Sequence, residues 1–349
     1  MKFTIEYLWL GDDKISNINN ININRKIFYT KVKTFDCILD KLELKDIPEW
    51  SFDGSSTGHI KLTSTDIKQN TEIILKPVKL YSHFNNKFDY IVLCQTYLID
   101  NTPHKSNTRT HILSLFNDFV ENKPCYGLEQ EYIFMDSLTN TIYGSTINDN
   151  TIHYCSSSIH HAKLRPIVEN HYIKCLQMGI NISGFNSEVT QSQWEFQIGP
   201  TIGIDASDDL TMARFVLERL CESDNLYINY HSKPIKDYNG SGCHHNFSTI
   251  HTNKYTKSTF ESAYSEIFNN FSNNHKITLK YYGVDNELRL TGINETSNML
   301  EFSYGIGTRH TSIRIPINNY VYFEDRRPSA SCDPYLSTWA LFATYMNII

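Results

Sequence analysis

The chain has 349 residues, 40% of them hydrophobic, with 32 Lys and Arg against 38 Asp and Glu for a net charge of −6. That length allows one large domain or two, and scattered basic residues under a net negative charge argue against a general nucleic-acid or acidic-membrane surface. The eight cysteines form no C-x-x-C pair, no apolar run approaches the roughly 20 residues of a spanning helix, and Glu6 interrupts the first apolar run; a zinc ribbon, a membrane span and a secretory leader are not indicated, and a reducing, cytoplasmic setting is expected.

Residues 1–100 read as short strands between polar loops: FTIEYLWL, KIFYTKVKTF, TEIILKPVKLY and YIVLCQTYLI are rich in β-branched and aromatic residues. The Asn/Ile tract ISNINNININ (15–24) between the first two reads as a loop or turn. NTPHKSNTR (101–109) is polar and marks a boundary, after which HILSLFNDFVEN (111–122) has helical spacing of its apolar residues. A strand around GLEQEYIFMD (127–136) and a loop over 137–151 follow. RPIVENHYIKCLQMGI (165–180) predicts a helix with a broad apolar face of Ile167, Val168, Tyr172, Cys175, Leu176 and Met178. QWEFQIG (193–199) alternates as a strand, while DDLTMARFVLERLCES (208–223) and TFESAYSEIFNNFSNN (259–274) predict helices. Neither G-x-G-x-x-G nor a P-loop occurs.

GLEQEY poses a chemical question. In a strand, Glu129 and Glu131 project from the same side. Two neighbouring carboxylates repel unless they are solvated, one keeps a proton, or a cation lies between them. Glu188 and Glu195 stand in SEVTQSQWEF, His244 and His245 in NGSGCHHNFS, Arg289 and Glu295 in LRLTGINETSNM, Arg309 and Arg314 in GTRHTSIRI, and Glu324 and Arg326 in YFEDRRP. Taken singly, each is an ordinary core histidine or a solvated ion pair. Together, carboxylates with one imidazole suit Mg²⁺ or Mn²⁺ better than zinc. Arginines beside them suit phosphate and carboxylate ligands. That is an inventory for phosphoryl transfer without a P-loop.

These segments, with EYLWLG (6–11), WSFDGSSTG (50–58), GINISGFNSEV (179–189) and SIRIP (312–316), run in one order across nearly the whole chain, and in that order the chain resembles glutamine synthetase of the shorter eukaryotic-type class. The resemblance implies an α+β fold: a small N-terminal β-grasp-like domain (1–103) and a larger catalytic domain (104–349) with a curved antiparallel sheet and outer helices. It implies ATP-dependent ligation of ammonia to L-glutamate through γ-glutamyl phosphate. Carried over by motif, Glu131, Glu188 and Glu195 would hold one Mg²⁺ or Mn²⁺, and Glu129, His244 and Glu324 a second. Arg289 and Arg326, with Asn239 and Gly240, would bind glutamate; Arg309 and Arg314 would bind phosphate; Asn246 and Ser248 would contact nucleotide. Glu295 would be the flap carboxylate, and Asp53, with Ser56, would serve the ammonium side of a neighbouring subunit's site in a homo-oligomer, a decamer of two stacked rings.

The chain departs from the family pattern in loops 59–70, 84–90 and 156–165 and at Tyr238, Leu288 and Asn294, without losing a proposed ligand. Two alternatives stay open at this point: a ligase that joins glutamate to another amine, and an inactive structural ring homologue. His160, His161, His245 and His310 match no required role and are expected at the surface or behind the ligands, and Cys243 and Cys332 are expected to be packing residues.

Overall fold

The computed structural model describes residues 1–62, 70–144, 153–157, 163–252, 257–293, 296–317 and 322–349. Strand β1 (Lys2–Leu10) is an interior strand of the first sheet, with most of its side chains buried on both faces. Phe3, Ile5, Tyr7 and Trp9 pack on one side with Leu42, Ile47, Phe52, Ile73 and Leu75, while Leu8 turns into the larger core of the molecule. A strand buried on both faces reads as a nearly continuous apolar run; here Thr4 and the buried Glu6 interrupt it.

Strands β2 (Lys14–Ile18) and β3 (Ile21–Arg25) form an antiparallel hairpin where the Asn/Ile tract led us to expect a loop. The turn residues Asn19 and Asn20 both have positive φ, 52° and 63°. Asparagine tolerates that conformation, and two such residues in succession make the turn that suits hairpin twist. The alternation of Ile and Asn then buries Ile23 against Ile133, Met135, Ile142 and Tyr227. Strands β4 (Phe28–Asp36), β5 (Trp50–Asp53), β6 (Glu72–Ser82) and β7 (Tyr90–Tyr97) complete a five-stranded sheet in the order β4-β1-β7-β6-β5, in which β1 and β7 are parallel.

Helix α1 (Thr108–Asp118) leads to β8 (Cys125–Asp136), the axis of the second sheet, and to the short β9 (Thr141–Ile142), which falls within the expected 137–151 loop. Then come α2 (Arg165–Met178), β10 (Ile182–Ser187), β11 (Gln193–Ile202), α3 (Asp205–Cys221), β12 (Leu226–Asn229) and β13 (Cys243–Ser248). Helices α4 (Lys257–Asn273) and α5 (His275–Thr278) precede β14 (Tyr304–Ile306), β15 (Ile313–Ile315), β16 (Phe323–Asp325) and α6 (Pro334–Tyr345). The main path of this nine-stranded sheet is β10-β11-β8-β13-β16-β15-β14, with β12 and β9 also paired to β8. Its pairs are antiparallel except β14 with β15.

Helix α2 buries a narrower stripe than its sequence predicts: Val168, Cys175 and Met178 are inside with His171, but Leu176 is exposed. The buried His171 donates from Nε2 to the Ala213 carbonyl on α3 at 2.9 Å. Asp333 caps α6, accepting from the N–H groups of Tyr335 and Leu336, and Pro334 starts the helix where its missing N–H costs nothing. Among the described residues, no helix is long and apolar enough to cross a membrane.

Candidate active site

Cross-strand pairing assembles one cavity from segments far apart in sequence. Glu131 on β8 lies opposite Glu195 on β11, Glu129 on β8 opposite His244 on β13, and Glu324 on β16 opposite both Asn246 on β13 and Arg314 on β15. Side chains paired in this way share a sheet face. The result is a cavity of about 500 Å³ lined by all six residues proposed above as metal ligands, Glu129, Glu131, Glu188, Glu195, His244 and Glu324. Asn239, Gly240, Arg289, Arg309, Arg314 and Arg326 line it as well.

The carboxylates on β8 are anchored by one oxygen each. Glu129 Oε1 accepts from Asn246 Nδ2 at 2.7 Å, and its Oε2 lies 3.5 Å from His244 Nδ1. Glu131 Oε2 accepts from the Gly242 N–H at 2.9 Å and from Gln193 Nε2 at 3.2 Å, while its Oε1 faces His244 Nε2 at 3.9 Å. Glu324 is held by cations instead: Arg326 Nη1 donates to its Oε1 at 2.6 Å and Arg314 Nε to its Oε2. Atoms of Glu129, His244 and Glu324 that could hold a metal all lie within 4.8 Å of one another.

The electrostatics fit a cation-binding role. Burial, aided by Glu129 and opposed by the Gly242 N–H, Arg289 and Arg326, pushes the Glu131 carboxyl up to about 7. Burial and then Glu131 push Glu188 up to about 8, and burial and then Glu129 carry Glu195 well above the carboxylate range. Burial, followed by the charge of Arg326, holds His244 well below the ordinary histidine value, so the imidazole is neutral with a free lone pair. Crowded buried carboxylates of this kind are relieved by a proton or by a multivalent cation, and oxygen donors with one neutral imidazole match a hard divalent ion.

Arg289 is 3% exposed and immobilised: it donates to the carbonyls of Arg326, Arg327 and Pro328 and to Asn286 Oδ1. Burial lowers it to about 10 without removing its charge at neutral pH. Gly240 and Gly242 let it approach, since a Cβ at 240 would meet Arg289 Cγ at 2.6 Å and one at 242 would meet His244 Nε2 at 2.6 Å. The N-G-S-G-C-H-H pattern is therefore a steric requirement of the site.

Asn246 and Ser248 line an adjoining cavity of about 560 Å³, which shares Glu129 with the first and includes Gly127, Gln197, Phe247 and Tyr322. Asp53 and Ser56 line neither cavity. Asp53 is exposed at the end of β5 and accepts from Ser55 and Ser56, hydrogen bonds that hold its carboxyl well below the ordinary range. Glu295, His160 and His161 lie outside the described residues. His245 is buried rather than superficial, packed between the Cys243 carbonyl and Ser337 Oγ, and His310 is exposed. Cys243 and Cys332 are fully buried packing residues. Sequence reasoning missed Gln193, whose Nε2 also reaches the Gly240 carbonyl at 2.9 Å and Ser241 Oγ at 3.0 Å; its parity with Glu195 in QWEFQ was the available signal.

Residues 117–276 match the family model described as glutamine synthetase, catalytic domain. A glutamine synthetase of Candida glabrata is 37% identical over 362 residues, covering 100% of this chain and 90% of its own length. The chain belongs to the glutamine synthetase family. The Saccharomyces cerevisiae enzyme is 36% identical, covering 99% of this chain and 89% of its own length. A protein of Acanthamoeba polyphaga mimivirus, provisionally named glutamine synthetase, is 40% identical, covering 97% and 93%. The cryoEM structure of Plasmodium falciparum glutamine synthetase shares the fold, with a TM-score of 0.69 at 19% identity, covering 99% of this chain and 72% of that one. The α+β architecture expected from the resemblance is the one observed.

Proposed function

We propose that this chain ligates ammonia to L-glutamate at the expense of ATP, by way of γ-glutamyl phosphate. The observation that carries the reading is the single cavity in which five glutamates and a neutral His244 face Arg289, Arg309, Arg314 and Arg326. In this reading Glu131, Glu188 and Glu195 hold one Mg²⁺ or Mn²⁺, and Glu129, His244 and Glu324 hold another. Bound divalent ions supply neutralisation of the phosphate oxygens as charge moves off the transferred group. Fixed Arg289, with Arg326, Asn239 and Gly240, takes the carboxylates and backbone end of glutamate. Arg309 and Arg314 take phosphate, and the adjoining cavity with Asn246 and Ser248 takes the rest of the nucleotide.

A γ-carboxylate oxygen attacks the γ-phosphorus of ATP and the bond to ADP breaks. Ammonia then attacks the acyl carbon, the C–O bond to phosphate breaks, and nitrogen gives its proton to a carboxylate. We assign that carboxylate to Asp53 of a neighbouring subunit, with Ser56 shaping its loop and Glu295 closing over the acyl phosphate to exclude water. On this reading the protein is a cytoplasmic decamer of two stacked rings. Its N-terminal domain ends near residue 103 and its catalytic domain begins near 104.

The test is ADP release from ATP with glutamate and a panel of amines, ammonium included, with and without Mg²⁺ or Mn²⁺. Release that needs glutamate, ammonium and the divalent ion is expected. Turnover with a different amine alone, or none at all, overturns the reading.

A further inference from the structure

Two side chains given no role above join Glu195 on β11 to Glu188, which follows β10. Gln197 Nε2 donates to Glu195 Oε1 and, at 2.8 Å, to Asn186 Oδ1. Asn186 Nδ2 donates in turn to Glu188 Oε1 at 2.9 Å and to the Ser187 carbonyl at 3.5 Å. The order is therefore Glu195, Gln197, Asn186, Glu188, with each amide nitrogen spending both hydrogens and each link pointing one way. Reversing either amide would set oxygen against oxygen.

The bridge is built into the sheet. Gln197 follows Glu195 by two positions on β11, so both lie on one face, and Asn186 on β10 pairs directly with Glu195. The residue opposite Gln197 is Gly184, and a Cβ there would meet Gln197 Oε1 at 2.7 Å. Glycine therefore gives the glutamine amide room to lie across the strand toward Asn186, and a methyl at 184 would push that amide out of place.

The bridge engages Oε1 of each glutamate, Glu188 through Asn186 and Glu195 through Gln197. That repeats the pattern on β8, where Asn246 holds one oxygen of Glu129 and Gln193 one oxygen of Glu131. Neutral amides suit the task. A cationic donor would compete with a metal for the same carboxylate charge, whereas an amide fixes orientation and leaves the charge in place.

We propose that Asn186 and Gln197 are positioning residues that set the separation and orientation of Glu188 and Glu195 for the divalent ion assigned to Glu131, Glu188 and Glu195. The inference rests on that metal reading and adds to it the device that shapes one of its two sites.

The test is Mn²⁺ binding to the full-length oligomer, followed by the electron paramagnetic resonance signal of free Mn²⁺. The parent should bind two ions per chain. Asn186→Ala and Gln197→Ala should each weaken one ion by about tenfold to a hundredfold and leave the other unchanged. The double variant should be no weaker than either single one, because the bridge acts as a unit. Gly184→Ala, which touches neither amide donor, should weaken the same ion by displacing Gln197. Circular dichroism and sizing on each variant separate this from misfolding, and a variant that misfolds leaves the decision to the remaining two. Parent-like binding in the folded variants, equal weakening of both ions, or additive losses would each overturn the proposal. A parent that binds no Mn²⁺ would instead remove the metal reading, and this inference with it.

Discussion

Gly242 leaves no room for a side chain, because a Cβ would lie 2.6 Å from His244 Nε2 and 3.2 Å from Arg289 Nη1. His244 faces Glu129, Glu131 and Glu324, and Arg289 is pinned by three carbonyls, so neither can retreat freely. Gly242→Ala should therefore lower kcat/KM on the order of 100-fold, the scale set by misplacing reacting groups by about an ångström. Steady-state kinetics at saturating ATP with varied glutamate checks this. A variant with parental kcat/KM would show that the two side chains move aside without consequence.

The buried side chain of Asn229 is one tie between the second sheet and the hairpin formed by β2 and β3. Asn229 Oδ1 accepts from the Asn24 N–H at 2.8 Å and the His231 N–H at 3.0 Å, and its Nδ2 donates to the Asn22 carbonyl at 2.8 Å. Asn22 also contacts the Lys233 and Pro234 carbonyls, so the hairpin is zipped along residues 229–234. Asn229→Ala should cost about 3 kcal/mol in urea unfolding, since it leaves buried backbone groups without partners. Amide hydrogen exchange should rise over residues 21–25 before the rest of the molecule. Unchanged protection there would show that apolar packing of Ile23, not this amide, docks the hairpin.

Across the whole molecule, Glu6 joins the first sheet to the helical layer. From β1 it accepts from Arg219 on α3 at 3.2 Å, and it lies 2.9 Å from His83 Nε2 beyond β6. Burial alone would raise its carboxyl, but His83, Thr30 and Arg219 more than offset this and hold it below its ordinary 4.5. The folded state thus binds fewer protons than the unfolded state around that value. The stabilisation is present above about pH 4.5 and is lost as pH falls through the lower folded value. Glu6→Gln should cost about 3 kcal/mol at neutral pH, near the lower end for breaking a buried ion pair. The gap to the parent should narrow toward pH 3; a pH-independent gap would assign the effect to packing. In the shared-site assembly proposed above, Asp53, exposed and outside the cavity of its own chain, serves a neighbour's site. Mixing inactive Asp53→Asn and Arg309→Ala subunits should restore up to about a quarter of parental activity, because that share of random interfaces pairs two intact halves. No recovery after verified subunit exchange would place both residues in one subunit's site.

Local sequence determined the strands and helices with strong periodicity, and it placed Glu129 and Glu131 on one face, since side-chain direction follows from a period of two along a strand. The order of the motifs was enough to place the chain in its family and to name most of the cavity residues. The Asn/Ile tract was legible as a hairpin only through its turn, because its alternation is between an apolar residue and one usually found in loops. What the period could not supply was partner and register. Glu129 meets His244 and Glu324 only after β13 is laid between β8 and β16, across nearly 200 residues of chain, and the oxygen each carboxylate presents depends on neighbours from other strands. Tertiary structure alone decided that Leu176 would be exposed, that His245 would be buried, and that Gly184 would open the space in which Gln197 reaches Asn186. Such contacts rest on which strands become neighbours, and that is fixed by burial of the whole apolar surface rather than by any local run of residues.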